Sequence, residues 1–233
     1  MAATHSYAHA VPVRIAILAK APLAGFAKTR LIPALGARGA ARLQRAFISH
    51  TLRVAQQAGL GGEVQLWCAP SAGQRFFRAL QRSTGVVCLP QPEGDLGARM
   101  QAATTRPGPV LLVGTDCPAL TAQHLRSAAD ALRRGAAAVF IPAEDGGYVL
   151  VGLQQPQPGL FQGIDWSTER VMAQTRQRTE ALGLALCELE PLWDVDTPND
   201  LARLATLPEF AALAGHNAPV LASPPFIFPE LFP

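Results

Sequence analysis

VRIAILA (13–19), running without a break into KAPLAGFAKTRL (20–31), is the stretch that decides how this chain folds. The first seven residues are a near-continuous apolar run, the pattern of a strand buried on both faces as in a parallel sheet. Pro22, Gly25 and the small residues around them let the following loop pass close to a ligand. Lys20, Lys28 and Arg30 on that loop supply donors suited to phosphate oxygens. From about Ala37 to Gln57, Leu43, Phe47, Ile48, Leu52 and Ala55 recur at helical spacing and stop at Gly59. This is a βα unit with a basic loop at the carboxyl end of its strand.

The alternation continues outward. EVQLWCA (63–69), GVVCLP (85–90), PVLLVGTD (109–116), AAAVFIP (136–142), GYVLVGL (147–153) and LALCEL (184–189) read as strands. Helical patterns separate them near 71–82, 95–105, 121–134 and 167–181, with Thr121 and Ser167 as N-caps and Gly135 and Gly183 as stops. Strands alternating with helices predict a mainly parallel sheet covered on both faces, with ligands at the carboxyl ends of the strands.

Composition sets the bounds. A chain of 233 residues, 49% apolar and 16% charged, can bury the core of one α/β domain, expected over residues 13–215. The net charge of +3 reflects scarce acids, and no block of like charge appears, so nucleic acid is not an expected partner. Cys68, Cys88, Cys117 and Cys187 form no CxxC pair; a reducing cytoplasm fits and a zinc site does not. Residues 1–12 lack the apolar core of a signal peptide and are expected to be a disordered extension, and no run of 18 apolar residues predicts a membrane span. The Pro- and Phe-rich tail, residues 216–233, is too apolar for a solvated end and is expected to pack on the domain or on the second subunit of a homodimer.

The acidic segments supply the chemistry. VLLVGTD carries a strand into Asp116, which is a hard oxygen ligand for Mg²⁺ or Mn²⁺, or else a cap for the helix starting near Leu120. In DVDTPND (194–200), Thr197, Pro198 and Asp200 read as a helix start, whereas Asp194 and Asp196 precede it where no helix requires them and are metal candidates. In PAEDGGYVLVGL (142–153), Gly146 and Gly147 make a tight turn before Tyr148. A plain turn needs only one acid, so Glu144 or Asp145 is a candidate base near an acceptor bound at Gly146, Gly147 and Tyr148. EGDLGARM (93–100) sets Asp95 and Arg99 at a helix start that suits an anion or a ribose, or is an ordinary cap. Trp166 stacks on a sugar or belongs to the core. GxxxxGK[ST] and GxGxxG are both absent.

AKAPLAGFAKTRL, QPEGDLGARM, GTDCPALT, PAEDGGYVLVGL, WSTERVMAQT and DVDTPNDL, in this order over about residues 13–205, resemble a bacterial family of proteins provisionally named nucleotide-diphospho-sugar transferases. Its members are linked by name to radical-SAM-associated clusters and arsenosugar biosynthesis. The resemblance implies an α/β fold, the three-layer α/β/α GT-A (nucleotide-diphospho-sugar transferase) fold with a mainly parallel mixed sheet. It also implies that Lys20, Lys28, Arg30, Gly25, Asp95 and Arg99 hold the nucleotide and its phosphates. Asp116 would coordinate the metal as the surviving acid of a DxD-like motif in which Gly114 replaces the first acid, with Asp194 or Asp196 as its partner.

A more distant similarity leads to the nucleotidyltransferases that make 2-phospholactate and molybdopterin nucleotide cofactors. Their LAGGxSxRMGxxK opening is retained here only at Lys28. The expected function is a metal-dependent glycosyltransferase that moves a sugar from a nucleotide-sugar donor to a small-molecule acceptor. The alternatives are a nucleotidyltransferase coupling an NTP to a phosphorylated small molecule and a non-catalytic nucleotide-binding module of the same fold.

Overall fold

The computed structural model describes residues 11–215; most of the expected N-terminal extension and the Pro- and Phe-rich tail lie outside the described residues. The elements run β1 (Val13–Lys20), α1 (Ile32–Ala58), β2 (Gly61–Ala69), α2 (Arg75–Thr84), β3 (Val87–Pro90), α3 (Leu96–Thr104) and β4 (Val110–Val113). They continue with α4 (Ala122–Arg133), β5 (Ala138–Pro142), β6 (Tyr148–Leu153), α5 (Val171–Ala181), β7 (Leu186–Glu188) and α6 (Asp200–Leu204). One seven-stranded sheet results, in the order β3-β2-β1-β4-β6-β5-β7. β6 runs antiparallel to both its neighbours and every other pairing is parallel. The antiparallel strand follows from the short turn at Asp145 and Gly146, which can join only antiparallel strands.

Helices cover both faces. Ile15, Ile17 and Ala19 of β1 point into a core with Ile48 and Leu52 of α1, Phe77 of α2 and Leu125 of α4. The alternate residues Ala16 of β1, Leu112 of β4, Phe140 of β5 and Val151 of β6 pack beneath Met100 of α3 and Met172 of α5. Each fully buried Phe or Leu contributes about 1.5–3 kcal/mol, and period-two alternation in the strands is what lets one sheet feed both layers. No helix among the described residues is long and apolar enough to cross a membrane.

Three helix starts differ from expectation, the first being α2, which begins at Arg75 and not near 71. α1 begins at Ile32 because a first short turn, opened by Pro33, joins the periodic stretch across a kink at Gly36 (φ 69°). α5 begins at Val171, not near Ser167. Ser167 takes a left-handed φ of 64°, and Arg170 precedes the helix without a side-chain cap. Packing explains the delay: the segment before α5 lies over Gly146, whose carbonyl accepts the Met172 amide at 2.8 Å. Thr121 caps α4 as predicted, with His124 completing the reciprocal pair.

Candidate active site

Three acidic segments converge at the carboxyl ends of β1, β4 and β5. β4 delivers Thr115 and Asp116, and residues 192–196 lie alongside, with the Val195 amide donating to the Asp116 carbonyl at 2.9 Å and the Glu144 amide to the Leu192 carbonyl at 3.0 Å. Trp193 and Val195 are buried among Leu31, Leu43, Phe47, Leu201 and Phe210. In extended backbone the residues that alternate with them face the other way, which turns Asp194 and Asp196 towards the cleft. Asp200 braces this segment: its Oδ2 accepts from the amides of Asp196 and Thr197 at 3.0 and 2.7 Å and from the Thr197 hydroxyl at 2.9 Å. Asp200 is therefore structural, as its position at a helix start predicts.

Lys28 does something different from the phosphate contact expected of it. Its ammonium lies 3.0 Å from Asp116 Oδ1 and 3.1 Å from Asp196 Oδ1 and also donates to the Val195 carbonyl. An ammonium has three N–H donors, so all are engaged and none is left for a phosphate. The side chain is only 6% exposed, against 44% for Asp116 and 41% for Asp196, so this is a buried tie between three segments of chain. Burial alone would lower the Lys28 pKa, but Asp116 and Asp196 outweigh it and hold the ammonium above the usual lysine value. Arg30 reaches Asp196 Oδ2 at 3.3 Å, so both oxygens of Asp196 are matched by cations.

Asp194 forms no ion pair among the described residues. Its carboxyl is pushed up to about 7, first by burial and then by the charges of Asp145, Asp196 and Asp116, with Lys28 opposing. This surplus of negative charge is what a divalent cation would relieve. Among the described residues no three His, Cys, Asp or Glu side chains stand close enough to form a metal cage. The donor set that fits is Asp194 with Asp116, hard oxygen ligands to be completed by phosphate oxygens and water, the coordination Mg²⁺ favours.

These groups line a cleft of 780 Å³, within the range of small-molecule sites. Of the residues singled out from the sequence, Lys20, Lys28, Arg30, Arg99, Asp116, Asp145, Asp194 and Asp196 line it, as do Gly147, Tyr148 and Trp166. Four others stand apart. Glu144 is exposed and paired with Arg203 at 2.6 Å, because it alternates with Asp145 across the hairpin. Asp95 is the ordinary N-cap of α3, accepting the Ala98 amide at 2.8 Å. Gly25 serves a turn at φ 80°. Gly146, at φ 92°, makes room for backbone: a Cβ there would stand 2.2 Å from the Glu169 carbonyl oxygen. Asp145 keeps its place in the cleft by accepting the Gly147 amide at 3.0 Å.

Two glutamines that sequence reasoning passed over support the cleft. Gln44 is buried and donates to Thr115 Oγ1 at 3.1 Å and to the Lys20 carbonyl at 3.3 Å, tying the ends of β4 and β1. Gln91 donates to the carbonyls of Trp67 and Ala19 at 2.8 and 3.3 Å. The available signal was an amide at position 44, inside the apolar stripe of Leu43 and Phe47.

A family model described as "Uncharacterized protein conserved in bacteria (DUF2064)" matches residues 51–168, just over half of the 233. The chain belongs to this family. A crystal structure of a provisionally named nucleotide-diphospho-sugar transferase from Desulfovibrio desulfuricans G20 is 28% identical, with a TM-score of 0.75 over 85% of this chain and 89% of that one. Two further structures are similar in fold alone. One is 4-diphosphocytidyl-2C-methyl-D-erythritol synthase from Anaerococcus prevotii, 11% identical with a TM-score of 0.56 over 81% of this chain and 92% of that one. The other is glucosyl-3-phosphoglycerate synthase from Mycobacterium tuberculosis, bound to Mn²⁺, UDP and glucosyl-3-phosphoglycerate, 12% identical with a TM-score of 0.50 over 87% and 78%. No curated protein matches the chain in sequence. The family member thus has the nucleotide-diphospho-sugar transferase fold, with its carboxylates at the strand ends.

Proposed function

We propose that this chain is a transferase acting on a nucleotide-activated donor, and that the donor is a nucleoside-diphosphate sugar whose glycosyl group passes to a small-molecule acceptor. The observation that carries this reading is the pairing of Asp116 with Asp194 beside Lys20 and Arg30 in one cleft, where a cation and a diphosphate can be held together. The provisional name of the Desulfovibrio relative supports the sugar nucleotide as donor.

Asp116 and Asp194 would hold Mg²⁺ or Mn²⁺, which when bound offsets the charge of the departing diphosphate. Lys28 keeps Asp116 and Asp196 in place, while Lys20 and Arg30 face the diphosphate from the β1 loop. Asp145, fixed by the Gly147 amide, takes the proton of the acceptor hydroxyl as the new C–O bond forms and the bond from sugar to phosphate breaks. A thermal-shift panel of nucleoside diphosphates, their sugars and NTPs, with and without Mg²⁺ or Mn²⁺, tests the reading. Stabilisation by an NDP-sugar only with metal is the expected result. Stabilisation by an NTP with NDP-sugars inert would replace glycosyl transfer by nucleotidyl transfer, and stabilisation with no turnover of any donor would leave a binding module.

A further inference from the structure

Charge is unevenly divided along this chain. Among residues 1–92 Glu63 is the only acid, against eleven Lys and Arg, whereas residues 93–233 carry nine Lys and Arg against sixteen Asp and Glu. The basic part contains α1 and α2, and neither helix has an acid. Residues three and four apart are neighbours on a helix surface, so Arg38, Arg42 and Arg45 share one face of α1, and Arg75, Arg78 and Arg82 share one face of α2. The Arg45 guanidinium lies over the Phe76 ring, 5.3 Å from its centroid, so the arginine face of α1 borders α2. Arg38, Arg42, Arg75, Arg78 and Arg82 are exposed and form no ion pair with any described residue. Outside the described residues the sequence holds one acid, Glu230, too few to offset six cations.

Like charges gathered on one surface repel each other and leave a positive field that an anionic surface relieves. What lies beside them selects the kind of surface. Leu23 and Phe26, each 40% exposed, stand on the loop that leaves β1. α1 and α2 each follow a strand of the parallel pair β1 and β2, so both helices start from the sheet edge where this loop lies. Exposed apolar side chains next to a basic face suit a bilayer interface, where the cations meet lipid phosphates and the apolar groups enter the acyl boundary. Phe76 is half-buried with Arg45 across its face, and so gives the bases of a nucleic acid little to stack on.

We propose that the arginine face of α1 and α2, with Leu23 and Phe26 at its edge, binds the surface of an anionic phospholipid bilayer without crossing it. Flotation of the full chain with phosphatidylcholine vesicles, pure or mixed in equal parts with phosphatidylglycerol, tests this at low and high salt. The chain should float with the mixed vesicles only, and added salt should release it, because exposed charges are screened. Each arginine removed should weaken binding about fivefold, so Arg75→Gln, Arg78→Gln and Arg82→Gln together should weaken it roughly a hundredfold. Arg38→Gln with Arg42→Gln repeats the test on α1, and Leu23→Ser with Phe26→Ser should cost about tenfold through the apolar contact alone. The control removes the same charge around α3 and α5, on the opposite face of the sheet, where Arg106, Arg170 and Arg176 pair with Glu63, Asp165 and Glu188. Changing those three to Gln should alter vesicle binding by less than about threefold.

Equal flotation with both kinds of vesicle, or with neither, would overturn the proposal. So would a control triple as weak as the α2 triple, since net charge and not this face would then be responsible, or full binding by the Leu23→Ser, Phe26→Ser variant. Tighter binding of duplex DNA or single-stranded RNA than of the mixed vesicles, at equal phosphate concentration, would replace the bilayer by a nucleic acid.

Discussion

Replacing Lys28 by Met leaves an unbranched chain of similar length in the same buried channel and removes only the ammonium. In a fully buried ion pair, losing one partner costs about 3–5 kcal/mol, because the remaining charge is stranded. Here Asp116 and Asp196 retain 44% and 41% exposure, so water screens what is left. About half the cost, roughly 2 kcal/mol, is expected. For a domain of this size each kcal/mol shifts the melting temperature by about 2–4 °C, so Lys28→Met should melt roughly 4–8 °C below wild type in calorimetry.

The Lys28 pKa is raised in the folded protein, so its contribution is fully present below the unfolded lysine value and is lost only as pH rises through the folded one. The deficit should therefore be the same at neutral pH as in mild base. Removing the stranded charge as well, in Lys28→Met with Asp196→Asn, should restore part of the loss, since deleting both partners costs less than deleting one. A Lys28→Met melt within about 1 °C of wild type, or a double variant showing the full sum of both single losses, would refute the tie.

Two further outcomes follow from the same geometry. In chelator-treated protein, native Asp194 holds its proton to about pH 7, whereas an unfolded Asp releases it near 4, so this carboxyl contributes a downward slope of stability with pH across that interval, opposite in sign to the contributions of His50 and His124, whose pKa values burial lowers. Asp194→Asn should lack that slope and gain in melting temperature over wild type from about pH 4 to 7; parallel curves would contradict the burial of this carboxyl. Gly146→Ala must combine a φ of 92° with a Cβ 2.2 Å from the Glu169 carbonyl oxygen. A loss of roughly 3 kcal/mol, or about 6–12 °C in melting, is expected, and a wild-type melt would show that the 165–170 segment yields freely.

Much of the scaffold was legible because its signals are local. The apolar runs of β1 and β4 end in Lys20 and in the Asp116 turn, and the double glycine before Tyr148 marks the hairpin. The site was legible in its residues more than in its contacts. Nothing near Lys28 announces that its partners lie on β4's end and on Asp196, 168 residues away, so its charge read as a phosphate ligand. Glu144 and Asp145 are chemically alike, and only the hairpin's orientation sends one to Arg203 and the other into the cleft. The alternation Trp193, Asp194, Val195, Asp196 carried that information in the sequence, since a buried apolar pair implies that the acids between and after face the other way.

The most direct test of the account is a Mn²⁺ titration followed by electron paramagnetic resonance, with and without nucleoside diphosphates, on wild type and Asp116→Asn. The account predicts that wild type removes the free Mn²⁺ signal strongly only when a nucleoside diphosphate is present, and that Asp116→Asn, still folded, loses this uptake. Uptake equal in the two proteins, or absent from wild type with every nucleotide, would contradict a metal and diphosphate site at Asp116 and Asp194.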